Sequence, residues 1–296
     1  MSHAQTYAST ATTTSPSRPD CAKLQFKILA PRLSDTPAAL SNASVNPELH
    51  SQLIHRLQSL RGLAYRNYPP IARELLADGR HHNNLDEDCW HVLLQAEGGE
   101  VVGCSRYRPI RGGFERLAVS HSALARSEKY GHLLRAAVHR ERSKAAAENA
   151  HYGEAGMWAL KPELGCSTAA VSIALMTFAL AGTLGGGRGL TTATTSHSSA
   201  AILRRLGGER LADLPAYFEP AYGCVIEVLA FSLAGVKQQY RPRLERLLQK
   251  LYDTHVICGH ASQAWSYARP VPAYQATEAY QATEEATPAV PSQANF

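Results

Sequence analysis

Apolar and polar residues alternate along this chain with a period that changes from one stretch to the next. Leu24, Phe26 and Ile28 interleave with Lys23, Gln25 and Lys27, a period of two that predicts a half-buried first strand. From Leu49 to Leu63, the apolar positions Leu53, Leu57, Leu60 and Leu63 keep the spacing of one helix face. Pro69-Pro70 opens a second short helix carrying Ile71, Leu75 and Leu76, and residues 79–88 read as a polar loop. Trp90–Ala96 and Val101–Tyr107 flank Gly98-Gly99, the strongest hairpin signal in the chain. Leu124–Asn149 is rich in Ala, Arg, Glu and Lys and predicts a helix. Glu154–Leu160 predicts a short strand that Lys161-Pro162 ends.

Thr168–Leu184 predicts an apolar helix closed by Gly185-Gly186-Gly187, and Leu190–Thr195 is β-prone. Ser199–Leu206 predicts a short helix ended by Gly207-Gly208, and Cys224–Phe231 an apolar strand. Gln239–His255 is amphipathic, with Leu244, Leu247, Leu248 and Leu251 inward. A hairpin followed by a strand–helix–strand crossover implies a mixed α/β sheet. Residues 1–21, rich in Ser, Thr and Pro, are expected to be a disordered lead without a secretory signal. Residues 22–235 form the expected main domain and 236–262 a C-terminal amphipathic helix. In 263–296, the hexapeptide Ala-Tyr-Gln-Ala-Thr-Glu occurs at 273–278 and again at 279–284, the mark of a flexible repeat tail.

Composition narrows the classes. With 45% hydrophobic and 19% charged residues among 296, the chain suits a globular protein with a sizeable core. Thirty basic against 25 acidic side chains give +5, which favours an acidic partner but falls short of a nucleic-acid footprint. Six cysteines without C-x-x-C pairing point to reduced thiols and a cytoplasmic location, and no metal-ligand spacing stands out. The longest apolar run, Ala169–Leu184, is interrupted by Ser172, Thr177, Gly182 and Thr183, so it reads as a buried helix and not a membrane span.

The stretch Met157-Trp-Ala-Leu-Lys-Pro-Glu-Leu-Gly-Cys-Ser-Thr-Ala-Ala170 and the helix after it carry a resemblance. With the order of elements, the chain resembles the GCN5-related N-acetyltransferase (GNAT) superfamily over about Ala22–Leu233. That resemblance implies an α/β fold with a mixed, mostly antiparallel central sheet, splayed between its fourth and fifth strands, and helices on both faces. It also implies a pyrophosphate loop, Arg/Gln-x-x-Gly-x-Gly/Ala. There, small residues bring main-chain N–H groups against a phosphopantetheine and the helix N-terminus adds its positive end. Aligned on Pro162, Leu164 stands where that family has Arg or Gln and Ser167 where it has Gly, while Ala169 fits the last position. In Ile202-Leu-Arg-Arg-Leu-Gly-Gly208, Leu203 takes the place of the family's thiolate-protonating Tyr. The loosened loop, the absent Tyr and the long insert look most similar to long-chain N-acyl amino acid synthases and to their relatives, the acyl-homoserine lactone synthases.

The resemblance then implies transfer of an acyl group from an acyl-carrier-protein or acyl-CoA thioester to the amine of an amino acid or similar small molecule. The acyl-CoA or acyl-phosphopantetheine would be a co-substrate, with no permanently bound cofactor. A short-chain acetyl-CoA-dependent N-acetyltransferase and a non-catalytic binding or regulatory module are the alternatives. Glu154 is a candidate general base or a solvated strand-end carboxylate. His197 is a second candidate base or, with Ser196 and Ser198, a cap on the helix at Ser199. The donor is expected at Leu160, Gly165, Cys166, Ser167, Thr168, Ala169 and Ala170, with Cys166 a packing thiol for want of a partner base. Arg61, Tyr65, Arg106, Trp158 and Ser198 are the acceptor-side candidates, since an arginine there could hold a carboxylate bidentately. Met157, Trp158, Ala159, Leu175, Met176 and Phe178 are expected to line an acyl tunnel. Arg135, His139, Arg140, Arg142, Lys144 and Arg204-Arg205 either dock an acidic carrier protein or are solvated helix faces.

Overall fold

The computed structural model describes residues 24–32, 40–164, 168–196 and 198–260. The expected lead at 1–21, the tail at 263–296 and four site candidates (Gly165, Cys166, Ser167 and His197) lie outside those residues.

In chain order the elements are β1 (Gln25–Leu29), β2 (Ala43–Val45), α1 (Pro47–Tyr65), α2 (Pro69–Ala72), β3 (Trp90–Gln95) and β4 (Val101–Pro109). They continue with α3 (Ala123–Arg126), α4 (Gly131–Ala147), β5 (His151–Leu160), α5 (Thr168–Thr183), β6 (Gly186–Thr194) and α6 (Ser199–Leu206). The last are β7 (Glu209–Arg210), β8 (Tyr217–Glu219), β9 (Cys224–Ser232), α7 (Arg241–Asp253) and β10 (Val256–Cys258). The strands form one mixed sheet in the order β2-β10-β1-β3-β4-β5-β6-β9-β7, with β8 on β9. The β1–β3, β3–β4, β4–β5, β6–β9, β7–β9 and β8–β9 ladders are antiparallel. Those of β5–β6, β1–β10 and β10–β2 are parallel.

Helices cover both faces. On one side lies α5, apolar nearly all round, with Ile173, Met176, Phe178 and Leu180 buried and Phe178 stacked on Phe231 at 4.8 Å. On the other side α1 packs Leu53, Leu57 and Leu60 against Leu93, Cys104 and Ala159, and α4 packs Leu134 and Val138 against Tyr152, Leu190 and Val228. Asn46 starts α1 by accepting a hydrogen bond from the Leu49 N–H through its side chain. Tyr107 crosses under the β5–β6 ladder so closely that a Cβ at Gly153 or Gly186 would strike its hydroxyl, which accounts for glycine at both.

Several boundaries differ from the expectation, each for a local reason. The helix expected over Leu124–Asn149 is two pieces: Ser122 caps the start of α3 by accepting from the Ala125 N–H, and the Ser127 hydroxyl captures the Tyr130 N–H where the run breaks. The strand expected from Glu154 begins at His151, and the glycine run after α5 enters β6, with Gly185 (φ 77°) alone turning the chain. Leu75 and Leu76 fall beyond α2, and Leu76 is exposed. The segment 236–262 holds α7 and also β10, which enters the sheet between β2 and β1. The residues expected to line an acyl tunnel do not share a side. Leu175, Met176 and Phe178 are locked in the α5 core, whereas Ala159 faces α1. Among the described residues, no helix is long and apolar enough to cross a membrane.

Candidate active site

The β5–β6 ladder runs from His151↔Gly186 to Ala155↔Thr191 and stops. Beyond it β5 continues to Leu160 without β6, while Thr192–Thr194 stay paired with β9. Near that point β5 bulges: Met157, at φ 51°, and Trp158 together oppose Ser105, so the register with β4 shifts by one. Ala155 to Trp158, four consecutive residues of a central strand, are partly exposed. Gly156 is the most open of them, since a Cβ built there meets nothing within 4 Å. Its partner across the β4–β5 ladder is Arg106, and the two face the α1 side together.

Around this opening the described candidates take distinct places. Arg106 is 5% exposed and donates from Nη1 to Asn83 Oδ1 at 2.7 Å. The Tyr65 hydroxyl donates to the Trp158 carbonyl at 3.3 Å, tying the end of α1 to the bulge. Burial pushes the Tyr65 and Tyr222 phenols up, and the Arg106 charge pulls both back. Tyr222, which the sequence pattern did not single out, thus belongs to the same neighbourhood. The Trp158 indole packs on the α5 side with its Nε1 unpartnered, so it faces away from Arg106.

Arg61 is enclosed. Expected to hold an acceptor, it is 0% exposed and grips Asp86 bidentately, with Nη1 donating to Oδ1 at 2.8 Å and Nη2 to Oδ2. Its Nη2 also donates to the His81 carbonyl, and Asp86 accepts from Gln58 Nε2 and the Asn83 N–H as well. The residues read as a polar loop are therefore pinned inward by a buried ion pair, and Asn83, held in that loop, reaches Arg106. His81 and His91 lie in the same cluster. Burial first, and the Arg61 and Arg106 charges after it, bring each down to about 4, against the opposing pull of Asp86. A histidine whose folded pKa is depressed binds fewer protons folded than unfolded, so stability falls as pH drops from about 6.5 towards 4. Thermal melts over that window should show a declining midpoint, with a shallower decline for His91→Gln; an unchanged slope would remove His91 from the effect.

Glu154 is enclosed as well. Its carboxylate is 6% exposed and accepts from Arg108 Nη2 at 3.2 Å, the Ala118 N–H at 2.9 Å and the Val119 N–H at 3.3 Å. With its oxygens engaged by three donors, it clamps the 118–121 turn to β5.

On the donor side, Leu160 packs against the α5 core, and Ala169 and Ala170 are buried in the first turn of α5. Thr168 opens that helix, and its carbonyl receives Arg243 Nη2, which also donates to Ser172 Oγ at 2.5 Å. This cation arrives from α7, outside the stretch that carries the family pattern, so no loop motif could have flagged it. Leu164 and Leu203 are both buried in the apolar core, which explains why neither position carries a polar side chain. Ser198 begins α6 in the left-handed region, φ 63°, without a side-chain cap bond. A cavity of about 630 Å³ opens between Tyr68-Pro69 and Phe218, with Thr195 and Cys224 in its wall. Of the basic cluster, Arg135, Arg140, Lys144 and Arg204 pair with carboxylates of the chain itself.

No family model and no curated protein matches the chain. Solved structures similar to it include acyl-homoserine lactone synthases. One, a CoA-dependent synthase with SAM and isopentyl-CoA, is 14% identical over 82% of this chain and 96% of that one, at a TM-score of 0.48. Another is FeeM, an N-acyl amino acid synthase from uncultured soil microbes, 13% identical over 77% of this chain and 97% of that one, at 0.39. A mosquito arylalkylamine N-acetyltransferase-like protein is 16% identical over 60% and 95%, at 0.39.

Proposed function

We propose that the chain is an N-acyltransferase that moves an acyl group from a thioester of CoA or carrier-protein phosphopantetheine to the amine of an amino acid or similar small molecule. The observation that carries this reading is the end of the β5–β6 ladder at Ala155↔Thr191, beside a bulge and an open glycine. Two parallel strands that separate leave one main-chain edge without a strand partner, and N–H groups on such an edge can polarise a thioester carbonyl. The pantetheine arm would run towards α5, whose first turn carries small buried residues, with Arg243 beside it.

The amine would approach from the α1 side, past Tyr65 and Tyr222. Its lone pair attacks the carbonyl carbon, the C–N bond forms, the C–S bond breaks, and the thiolate leaves with the sulfur's electron pair. The nitrogen must shed a proton and the thiolate must gain one. Leu203 supplies no acid, so the thiolate takes its proton from solvent in the cleft. With Glu154 occupied, His197, three positions past the end of β6 in the sequence, is the base we favour. Positioning supplies most of the acceleration.

Incubating the full chain with acyl-CoA and acyl-carrier donors of graded length plus mixed amino acids should give N-acylated products by mass spectrometry. His197→Ala should lower turnover by about 10²-fold. No product and no thermal shift with any donor would favour a non-catalytic binding module instead.

A further inference from the structure

Arg106 differs from the other enclosed arginines of the sheet and α1. Arg61 is neutralised by Asp86, Arg108 by Glu154 and Arg188 by Glu148. Arg106 is 5% exposed; among the described residues its guanidinium has no carboxylate within ion-pair distance, and its one hydrogen bond goes to the neutral amide of Asn83. The enclosed groups near it that could carry negative charge are taken or uncharged, whereas Glu74 and Asp88, which act on its neighbours Tyr222 and Cys89, are exposed to water. Asp86 is held by Arg61, Gln58 and the Asn83 N–H. Glu154 is held by Arg108 and two main-chain N–H groups. Burial raises the Cys89 thiol to about 11 and lifts the phenols of Tyr65 and Tyr222, which keeps all three neutral at physiological pH. The guanidinium's remaining donors are not fully sealed from solvent. On the side of the sheet that Arg106 shares with Gly156, a Cβ built at Gly156 meets nothing within 4 Å among the described residues.

A cation taken out of water without a counter-ion is costly, and a fold tolerates it where a ligand supplies the missing charge. We infer that Arg106 is the receptor for a carboxylate on the acceptor, which restricts the acceptor to amines that carry one, α-amino acids foremost. This rests on the transferase reading above and narrows it. Asn83 orients the guanidinium through Nη1 and leaves the other donors in the planar fork that matches a carboxylate. Held there, opposite Gly156, the carboxylate sets the neighbouring α-amine at the point where β5 leaves β6. An amide or a decarboxylated amine would leave the Arg106 charge unmatched and be discriminated against.

The test compares each α-amino acid with its amide on the unmodified full chain, by turnover with an acyl-CoA and by calorimetric binding without donor. Amino acids should be preferred by about 10²-fold, and Arg106→Gln should erase the preference while Arg106→Lys retains part of it. Equal use of acid and amide by the unmodified chain would overturn the inference and leave the transferase reading standing. Carboxylate-selective binding without turnover on any donor would do the reverse. The acid–amide comparison needs no variant, and Arg106→Lys keeps the charge, so a folding failure of Arg106→Gln does not blunt the result.

Discussion

Replacing Gly156 by leucine is expected to reduce acyl transfer by about 10²-fold or more while the protein stays folded. The side chain would start where a Cβ meets nothing within 4 Å among the described residues, directly opposite Arg106 and at the residue after the last β5–β6 pair. Because Gly156 is not in the left-handed region, a side chain there strains no backbone, and removing a strand glycine is worth up to about 1 kcal/mol of stability. The expected signature is therefore a lost activity with an equal or higher melting temperature. Gly103 on β4 is the control: a Cβ there would lie 2.8 Å from Leu160 Cδ2 and would also meet Ile173, so Gly103→Val should melt earlier. If Gly156→Leu acylates as well as the unmodified chain, the open space beside Arg106 is not where the amine meets the thioester.

The largest effect on stability is expected at Asp86. Asp86→Ala leaves the Arg61 guanidinium at 0% exposure with no carboxylate, and it strips acceptors from Gln58 and the Asn83 N–H. Breaking a buried pair from one side costs about 3–5 kcal/mol, a large part of the stability of a domain. Replacing both partners, as in Arg61→Met with Asp86→Leu, should cost far less, since no orphaned charge remains. Denaturant melts of the two single variants and the double variant form a cycle that reads the coupling directly. A loss under about 1 kcal/mol in Asp86→Ala would mean that loop 79–88 is not pinned by this pair.

The strands and helices were legible where periodicity was strong and burial one-sided. Phe26 and Ile28 on β1, the leucine ladder of α1 and the hairpin around Gly98-Gly99 all formed where the pattern put them. Short strands were not legible. Three residues such as Val256–Cys258 carry too little pattern, and they become a strand only because β1 and β2 offer ladder partners on either side. The same limit applied to the site. A strand-end glutamate and a helix-end arginine look available in a sequence, because their partners come from far along the chain. Glu154 meets Ala118 and Val119, 36 and 35 residues away, and Arg61 meets Asp86, 25 residues away. Arg106 was visible as a candidate, but its want of a counter-ion was not, since that depends on the enclosed carboxylates Asp86 and Glu154 being already engaged.

Hydrogen exchange read by mass spectrometry, with and without a non-hydrolysable acyl-CoA analogue, bears most directly on the opening between β5 and β6 as the seat of the donor. Slowed exchange confined to peptides covering Gly156–Leu160, Thr192–Ser196 and the start of α5 is the expected result. Unchanged exchange in all three under saturating analogue, or protection only elsewhere, would contradict it.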